Sequence, residues 1–260
     1  MNLVDLILTH QQITEEAVRG KICIVIDTLR ATSTMVTALS QGCREIIPVA
    51  SVQEALELKK RKHQNYLLGG EVEGHHQETF DLGNSPLEYR GSIIKNKGII
   101  FTTTNGTRTL LKLESARKIL ICALLNAKTV GEWLVAQKND LVLCCSGTRG
   151  NYSPEDFLTA GRLAADLQAR NKDFFFSDLA VAAACFYKNA VKHKNNKKAV
   201  VKLLEQSDNG RRLLEAGQKQ DIDFCSREDI FRLLPFYEKG SVKAAKIPGA
   251  PASISASLHI

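Results

Sequence analysis

The fold is decided by one run, Gly98-Ile99-Ile100-Phe101-Thr102-Thr103-Thr104-Asn105-Gly106-Thr107-Arg108-Thr109-Leu110-Leu111. Its first four residues are typical of a buried strand, Asn105-Gly106 is a strong turn dipeptide, and a helix can begin near Thr107. Hydroxyls, an amide and a guanidinium meet where the strand ends, and the free N–H groups of a helix start favour an oxyanion there. An ordinary strand-to-helix turn explains the same residues, so the interpretation depends on whether the pattern recurs.

The pattern does recur, because short apolar runs alternate with amphipathic segments along most of the chain. The predicted strands are residues 21–27, 45–50, 66–70, 98–103, 118–124 and 141–146. The predicted helices are residues 31–41, a helix opening at Ser51, and residues 126–137, 153–170, 177–193, 197–206, 210–217 and 227–234. This order predicts an α/β fold, with three α/β/α layers on a largely parallel or mixed sheet and a mostly helical C-terminal region.

We expect one domain over residues 1–260, in which residues 173–260 pack on residues 1–172, which carry the motifs. After Ser241 the sequence is lightly patterned, which predicts an extended arm or a short strand. Hydrophobic residues make up 44% and charged residues 24% of the chain, and no apolar run approaches the length of a membrane span.

The N-terminus lacks the features of a secretion signal, and the seven cysteines form no Cys-x-x-Cys pair. We therefore expect a cytoplasmic protein with reduced, structural thiols. The net charge of +7 is concentrated between Lys188 and Lys202 without a nucleic-acid motif. A solvated helix face explains that run better than nucleic-acid binding.

Polar residues follow the predicted strands where those strands end, which is where α/β sheets bind ligands. The candidate binding residues on these turns, and on the loop between the third and fourth predicted strands, are Asp27, Arg30, Glu71, Asp81, Asn84, Ser85, Thr103, Thr104, Asn105, Gly106, Thr107, Arg108, Ser146 and Gly147. Carboxylate oxygens suit a hard cation such as Mg²⁺, whereas arginine and backbone N–H groups suit phosphate. The sequence has neither a Walker A motif nor Gly-x-Gly-x-x-Gly, which argues against an ordinary nucleotide-binding fold.

Several motifs in this order closely resemble the 2-phosphosulfolactate phosphatases, the ComB family. They are Asp27-Thr28-Leu29-Arg30-Ala31-Thr32-Ser33-Thr34, Gly69-Gly70-Glu71, Phe80-Asp81-Leu82-Gly83-Asn84-Ser85-Pro86-Leu87-Glu88, Thr103-Thr104-Asn105-Gly106-Thr107-Arg108 and Ser153-Pro154-Glu155-Asp156. The resemblance implies a Mg²⁺-dependent hydrolase that converts 2-phospho-3-sulfolactate to 3-sulfolactate and phosphate, a step known in coenzyme M biosynthesis. Where that pattern leads us to expect Gly-Glu-Arg, this chain has Gly70-Glu71-Val72, so a cationic contact to the substrate is missing.

In this interpretation Asp27, Glu71 and Asp81 hold Mg²⁺ in some combination. Arg30, Arg108 and the Thr104 to Thr107 turn neutralise the transferring phosphoryl group. Asp27 either attacks phosphorus or orients a water molecule. Its structural alternative is a cap on the following helix through Thr28 and Leu29.

Other candidates have equally plain explanations. Glu155 and Asp156 suit the first turn of a helix, and only the resemblance adds Asp156 to the catalytic residues. His75 and His76 fit a solvated turn better than a transition-metal site, because adjacent histidines point apart. Ser146 lacks the Gly-x-Ser-x-Gly surroundings of a nucleophile, so it and Gly147 are candidates for substrate binding.

Two alternatives to this function stay open: a phosphatase of another phospho-hydroxy acid, and a non-catalytic binder of a phosphorylated or sulfonated metabolite. Val72 favours the binder. The carboxylates at Asp27, Glu71 and Asp81 argue against it, because anion binding gains nothing from clustered acids whereas a metal requires them. The expected partner is a small phosphorylated acid and neither nucleic acid nor a membrane, and a homodimer is compatible with the chain.

Overall fold

The computed structural model describes residues 2–170, 173–192 and 196–245. Its strands are β1 Asn2–Ile7, β2 Ile22–Ile26, β3 Glu45–Pro48, β4 Leu67–Gly70, β5 Gly98–Thr102, β6 Lys118–Cys122, β7 Leu141–Cys145, β8 Phe174–Phe176, β9 Pro235–Glu238 and β10 Ser241–Ala244. Its helices are α1 Glu15–Val18, α2 Ala31–Ser40, α3 Val52–Lys62, α4 Gly91–Ile94, α5 Gly106–Leu111, α6 Ala127–Val135, α7 Pro154–Arg170, α8 Asp178–Ala190, α9 Asn196–Gln206, α10 Asp208–Glu215 and α11 Lys219–Cys225. Short 3-10 turns lie at His10–Gln12, Pro86–Glu88 and Leu124–Asn126.

One mixed sheet contains these strands in the order β4-β5-β3-β10-β9-β6-β2-β7-β1-β8. The strands β4, β5 and β3 are parallel to one another, and so are β6, β2, β7, β1 and β8. The hairpin of β9 and β10 lies between these two sets and is antiparallel to β6 and to β3. Direction reverses at three successive junctions, so the two parallel sets run in opposite senses.

This reversal affects where the strand ends meet. In a flat sheet, the carboxyl ends of β2 and β5 would lie at opposite edges. Five steps separate these strands, and a twist of about 20–25° per step turns them by roughly 100–125° relative to each other. The residues after the two strands do come together, because a Cβ placed on Gly106 would lie 2.9 Å from Oδ2 of Asp27. A shared strand direction therefore does not explain this convergence, whereas a twist of this size rotates the two strand ends toward each other.

The central strands are covered on both faces. Ile22, Ile24 and Ile26 of β2 pack in one cluster with α6, α7 and α8, whereas Cys23 and Val25 pack in another with α2 and α5. These five residues are fully buried. Burial on both faces explains why β2 is a continuous apolar run, and the predicted three-layer α/β/α arrangement is confirmed.

The six predicted strands are confirmed as β2 to β7, with ends within two residues of the predictions. The sequence does not predict β1, β8 or β9, and the short strand expected after Ser241 is β10. Residues 193–195 and 246–260, at the end of the predicted helix 177–193 and in the predicted arm, lie outside the described residues.

The helix predicted over residues 227–234 is wrong, and α11 lies before it. That segment uses its backbone on the turn that precedes α6: Asp229 and Phe231 donate to the carbonyls of Leu124 (3.0 Å) and Leu125 (2.9 Å). These contacts hold the segment in a non-helical conformation against that turn, with Asp229 at φ 57°. The domain boundaries expected from the sequence stay a prediction.

Two predictions from composition can be compared with the structure. Over residues 2–170, 173–192 and 196–245, none of the helices combines the length and apolar content needed to cross a bilayer. The cysteines are all free, and Cys23, Cys122, Cys144 and Cys145 are buried in strands. Burial raises the pKa of the Cys122 thiol well above its usual range, which keeps this thiol in its unreactive form.

Candidate active site

Asp27 lies directly after β2, at the buried start of α2. Its side chain is 7% exposed, and Oδ1 accepts a hydrogen bond from the N–H of Ala31 at 3.2 Å. The Thr32 hydroxyl donates to the Asp27 carbonyl at 2.9 Å, which fixes the backbone as well. Asp27 therefore does serve the helix start, but it does so through Ala31 and not through Thr28 and Leu29.

Gly106 brings the Thr-Asn-Gly turn against Asp27. A Cβ at this position would lie 2.6 Å from the Ala31 side chain as well as 2.9 Å from the Asp27 carboxylate, so only glycine fits without a shift. The backbone N–H of Gly106 acts on the carboxylate at this short range and favours its charged form. The residues after β2 and β5, far apart in the chain, thus meet at one point.

Glu71 follows Gly70 at the end of β4 and is 7% exposed. Its Oε1 accepts from the Thr104 N–H at 2.9 Å, and its Oε2 accepts from the Thr104 hydroxyl at 3.2 Å and from the Gly74 N–H. Gly70 has φ +118°, and a Cβ on it would lie 1.9 Å from the Thr102 carbonyl oxygen. This close approach of the two backbones places Glu71 against the turn after β5.

Residues 72–75 form a tight turn beside Glu71. The N–H of Val72 donates to the His75 carbonyl at 3.1 Å, and the N–H of His75 donates back at 2.9 Å. Val72 is 37% exposed, so the position of the expected arginine faces solvent. His75 and His76 are exposed in the same region, which agrees with a solvated turn.

Glu155 and Asp156 lie in the first turn of α7 and are 1% and 2% exposed. Asp156 accepts from the Thr28 N–H at 2.7 Å and from the Gly147 N–H at 3.1 Å. Oε1 of Glu155 accepts from the Asn209 amide at 3.0 Å, whereas its Oε2 is buried without a hydrogen-bond partner. Acids that serve only a helix start are rarely buried so deeply. These two extend the site at the end of β2.

Asp27, Glu71, Glu155 and Asp156 form what we call the acidic cluster. Burial and the charges of Glu71 and Glu155 raise the pKa of Asp27 to about 7, against the backbone N–H groups of Ala31 and Gly106. Burial, Asp27 and Glu155 raise the pKa of Asp156 well above its usual range. Each carboxylate therefore opposes the ionisation of its neighbours, and the cluster needs a positive partner to be fully charged at neutral pH.

The acidic cluster fits a hard divalent cation. Its donors are carboxylate oxygens, and the unpartnered Oε2 of Glu155 is the kind of buried acceptor that a cation satisfies. Among the described residues, no three His, Cys, Asp or Glu side chains stand close enough to form a complete protein cage. Mg²⁺ rarely has such a cage, because it keeps several waters and binds one or two carboxylates together with substrate phosphate oxygens.

Asp81, the third metal ligand predicted from the sequence, is engaged elsewhere. Its Oδ2 accepts from the Leu68 N–H at 2.8 Å and from the Lys59 ammonium at 3.0 Å. Leu68 lies three residues before Glu71, which corresponds to about 10 Å along an extended strand. The structure thus places Asp27 and Glu71 together and Asp81 beside a lysine on the flank of β4.

The hydroxyls of the Thr-Asn-Gly turn are largely used within the protein. The Thr107 hydroxyl donates to the Thr103 carbonyl at 2.7 Å, and the Thr103 hydroxyl accepts from the Thr107 N–H at 3.2 Å. The N–H and hydroxyl of Thr104 are directed to Glu71. Asn105 is half-buried and Arg108 is exposed. The turn therefore holds Glu71 in place, and Asn105 and Arg108 are its groups best able to reach a ligand.

Ser146 and Gly147 also have partners within the protein. The Ser146 hydroxyl accepts from the Thr109 hydroxyl at 2.8 Å, and the Ser146 carbonyl lies 3.0 Å from Nδ1 of His10. The N–H of Gly147 is directed to Asp156. These residues thus join β7 to α5 and α7 and hold Asp156 at the end of β2.

Arg30, Asn84 and Ser85 come together with α11. Nη1 of Arg30 donates to Asp221 Oδ2 at 2.5 Å and to Gln218 Oε1 at 2.9 Å, and the Ser85 hydroxyl donates to Asp221 Oδ1 at 2.6 Å. Arg30 and Asp221 are 8% and 3% exposed. Among the described residues, Arg30 makes no hydrogen bond to an acid of the cluster, so it lies beside the acidic cluster and is held from the α11 side.

Sequence reasoning assigns Glu155 only to the start of a helix, and it offers no reason to select Asn209 or Asp221 as site residues. Asn209 and Asp221 lie in the helical C-terminal region, without a strand end or turn motif beside them. α11 contains two acids, Asp221 and Asp223, and nothing local distinguishes the one that reaches the site. Their roles depend on tertiary packing of α10 and α11 against residues more than 50 positions earlier in the chain.

Comparison with known proteins adds to this geometry. Residues 7–240 match the family model described as 2-phosphosulpholactate phosphatase. A relative from Clostridium tetani, named probable 2-phosphosulfolactate phosphatase, is 38% identical over 240 residues, which covers 92% of this chain and 99% of the relative. Relatives of the same name from Clostridium acetobutylicum and Caldanaerobacter subterraneus are 39% and 40% identical, over 92% of this chain and 99% and 96% of their own lengths. The chain therefore belongs to the 2-phosphosulfolactate phosphatase family, and the resemblance found in its motifs is confirmed.

Proposed function

We propose that this family member is a Mg²⁺-dependent phosphatase that hydrolyses 2-phospho-3-sulfolactate. Water is added across the P–O bond, so that the lactate carbon keeps its oxygen as a hydroxyl and phosphorus leaves as inorganic phosphate. The curated relatives are named for this activity. In the structure, the observation that carries the proposal is the acidic cluster, which has no arginine or lysine in hydrogen-bond contact among the described residues.

A purely anionic cluster would repel a phosphate ester. When bound, Mg²⁺ neutralises phosphoryl oxygens and orients a water molecule. Asp27 and Glu71 are the residues that would hold it, since they converge from β2 and β4 and are both buried. Glu155 and Asp156 add negative charge from α7, which strengthens the attraction for a cation.

Asp27 is placed to act as a base or a nucleophile. Without a cation, burial and the neighbouring acids raise its pKa to about 7, and a cation held beside it would favour the carboxylate form that both roles require. Asp156 shares the charge with Asp27, because each carboxylate opposes the ionisation of the other. Asp27 either abstracts the proton of the attacking water or attacks phosphorus itself. Mass spectrometry after acid quenching distinguishes these routes, because only direct attack leaves a phosphorylated Asp27.

The test uses the purified full-length protein with 2-phospho-3-sulfolactate, 2-phospholactate and 2-phosphoglycerate, each with and without Mg²⁺. We expect release of phosphate only with Mg²⁺, at the highest kcat/KM for 2-phospho-3-sulfolactate. A higher value for another phospho-acid assigns the chain to that substrate. Binding of these compounds without phosphate release from any of them identifies a non-catalytic binder and refutes the proposal.

We also infer that the enzyme acts in the cytoplasm as a small-molecule enzyme. The seven free cysteines, with Cys185 exposed, are compatible with a reducing compartment. Sedimentation analysis of the purified protein tests whether it forms the homodimer that we consider compatible with the chain.

A further inference from the structure

Arg30 is bound along one side of its guanidinium only. Both of its hydrogen bonds, to Asp221 and Gln218, are made by Nη1. Among the described residues, none accepts a hydrogen bond from Nε or Nη2. These two nitrogens form the planar edge of the guanidinium that binds a carboxylate or sulfonate with two parallel hydrogen bonds. A buried arginine held in this way presents a fixed two-donor edge.

The loop that also binds Asp221 carries a buried acceptor without a partner among the described residues. Oδ1 of Asn84 is buried without a hydrogen-bond partner, although Asn84 is 7% exposed. The Asn84 carbonyl accepts from the Thr34 hydroxyl at 2.8 Å, one turn of α2 after Arg30, and the adjacent Ser85 binds Asp221. Rotation of the amide places its N–H groups at the unsatisfied position. Buried polar groups rarely lack partners, so this position is one that a ligand or an ordered water fills.

Arg30 lies three residues after Asp27, next to the acidic cluster, and the charges of Arg30 and Asp27 both act on the pKa of Cys225 in α11. Among the described residues, the hydrogen bonds of Arg30 go to Asp221 and Gln218 and not to an acid of the cluster. The proposed substrate also carries a carboxylate and a sulfonate, and these need donors of their own.

We propose that Arg30 and Asn84 bind the acid group that does not react, a carboxylate or sulfonate of the substrate. The inference rests on the proposed function. Asp221 is a positioning residue, because its two oxygens hold Nη1 of Arg30 and the hydroxyl of Ser85 on opposite sides. α11 thereby connects the start of α2 to the loop before residue 86. Specificity for phosphorylated acids over simple phosphate esters would come from this contact.

The experiment measures binding by calorimetry in the presence of Mg²⁺, using 3-sulfolactate, lactate and inorganic phosphate as separate probes. Arg30→Lys keeps the charge that pairs with Asp221 but removes the planar edge. We expect the Kd of 3-sulfolactate to rise about tenfold or more in Arg30→Lys and Asp221→Asn, while the Kd of phosphate stays within about twofold. A parallel loss for lactate identifies the carboxylate as the bound group, and a loss for 3-sulfolactate alone identifies the sulfonate.

The matched control is Asp166→Asn, which removes an acid from Arg162, another arginine in a mostly buried ion pair. Its affinities should equal those of the wild type. Unchanged 3-sulfolactate affinity in Arg30→Lys, or an equal loss of phosphate affinity, would overturn the proposal. Kinetics add a second readout: KM for 2-phospho-3-sulfolactate should rise while kcat changes little. If the wild type hydrolyses nothing, the function fails, yet the binding measurements still decide this inference.

Discussion

Replacing Asp27 by asparagine should remove turnover and at the same time stabilise the metal-free protein. The side chain keeps its size and its Oδ1 can still accept from the Ala31 N–H, so the helix start is retained. The buried charge is lost. Raising the Asp27 pKa from 3.8 to about 7 corresponds to about 3 units, or about 4 kcal/mol against the charged form at 1.36 kcal/mol per unit. This figure is an upper bound on the gain in the free energy of unfolding from Asp27→Asn, because the negative charge is shared among the carboxylates of the acidic cluster.

The sign of the effect depends on pH. A carboxyl whose pKa is raised in the folded state contributes its full stability below pH 3.8, and this contribution is lost as the pH rises through about 7. In EDTA the wild type should therefore lose stability relative to Asp27→Asn between about pH 4 and pH 8. Urea unfolding of the wild type and of Asp27→Asn, at about pH 4 and at pH 8, measures the difference in their free energies of unfolding. Mg²⁺ should reduce the difference at pH 8, because a bound cation stabilises the charged wild type.

Asp81→Asn is the matched comparison. Burial raises the pKa of Asp81, but the hydrogen bonds from the Leu68 N–H and Lys59 outweigh burial and hold this pKa below its usual value. Its contribution to stability is therefore present above pH 3.8 and lost as the pH falls below it. Asp81→Asn should destabilise the protein at pH 8. An Asp27→Asn variant with wild-type turnover, or one that is less stable than the wild type at pH 8 in EDTA, would refute the role assigned to the acidic cluster.

Three further predictions concern the metal, Arg108 and Gly70. Chelation should abolish phosphate release and added Mg²⁺ should restore it; full turnover in thoroughly chelated protein would exclude the metal-assisted reaction. Arg108→Lys should lower kcat/KM about tenfold or more, since losing a charge-assisted hydrogen bond costs about 1.5–3 kcal/mol, and unchanged kinetics and phosphate inhibition would identify Arg108 as a solvated helix residue. Gly70→Ala should lower the melting temperature by several degrees and reduce turnover, because its Cβ would lie 1.9 Å from the Thr102 oxygen; a wild-type melting curve would contradict this strained position.

The predictable elements of the fold are those with strong local patterning. The strands β2 and β5 are continuous apolar runs bounded by turn residues, so both can be located from the sequence. β8 has only three residues and β9 begins with Pro235, and neither carries enough pattern to be distinguished from a loop. Such short strands are stabilised by their neighbours in the sheet. Sequence patterns do not contain that information.

The same distinction applies to the site. Asp27 and Glu71 directly follow predicted strands, which is why both could be selected as site residues. Their convergence could not be expected from strand direction, because β2 and β4 belong to parallel sets that run in opposite senses. Asp81 lies in the loop before β5, where a parallel bridge between Gly69 and Leu82 aligns the loop with β4 and leaves Asp81 bound to Leu68. Asp221 reaches Arg30 across 191 positions, a contact that no local motif encodes.

The central position of the hairpin formed by β9 and β10 has a consequence for synthesis of the chain. Both strand edges that it covers, on β3 and on β6, belong to elements made more than a hundred residues earlier. As the chain emerges from the ribosome, the two halves of the sheet therefore present open edges until the last segment arrives, and open edges promote association with other chains. Chains that terminate before residue 235 should aggregate during expression, even though every residue of the acidic cluster has already been made.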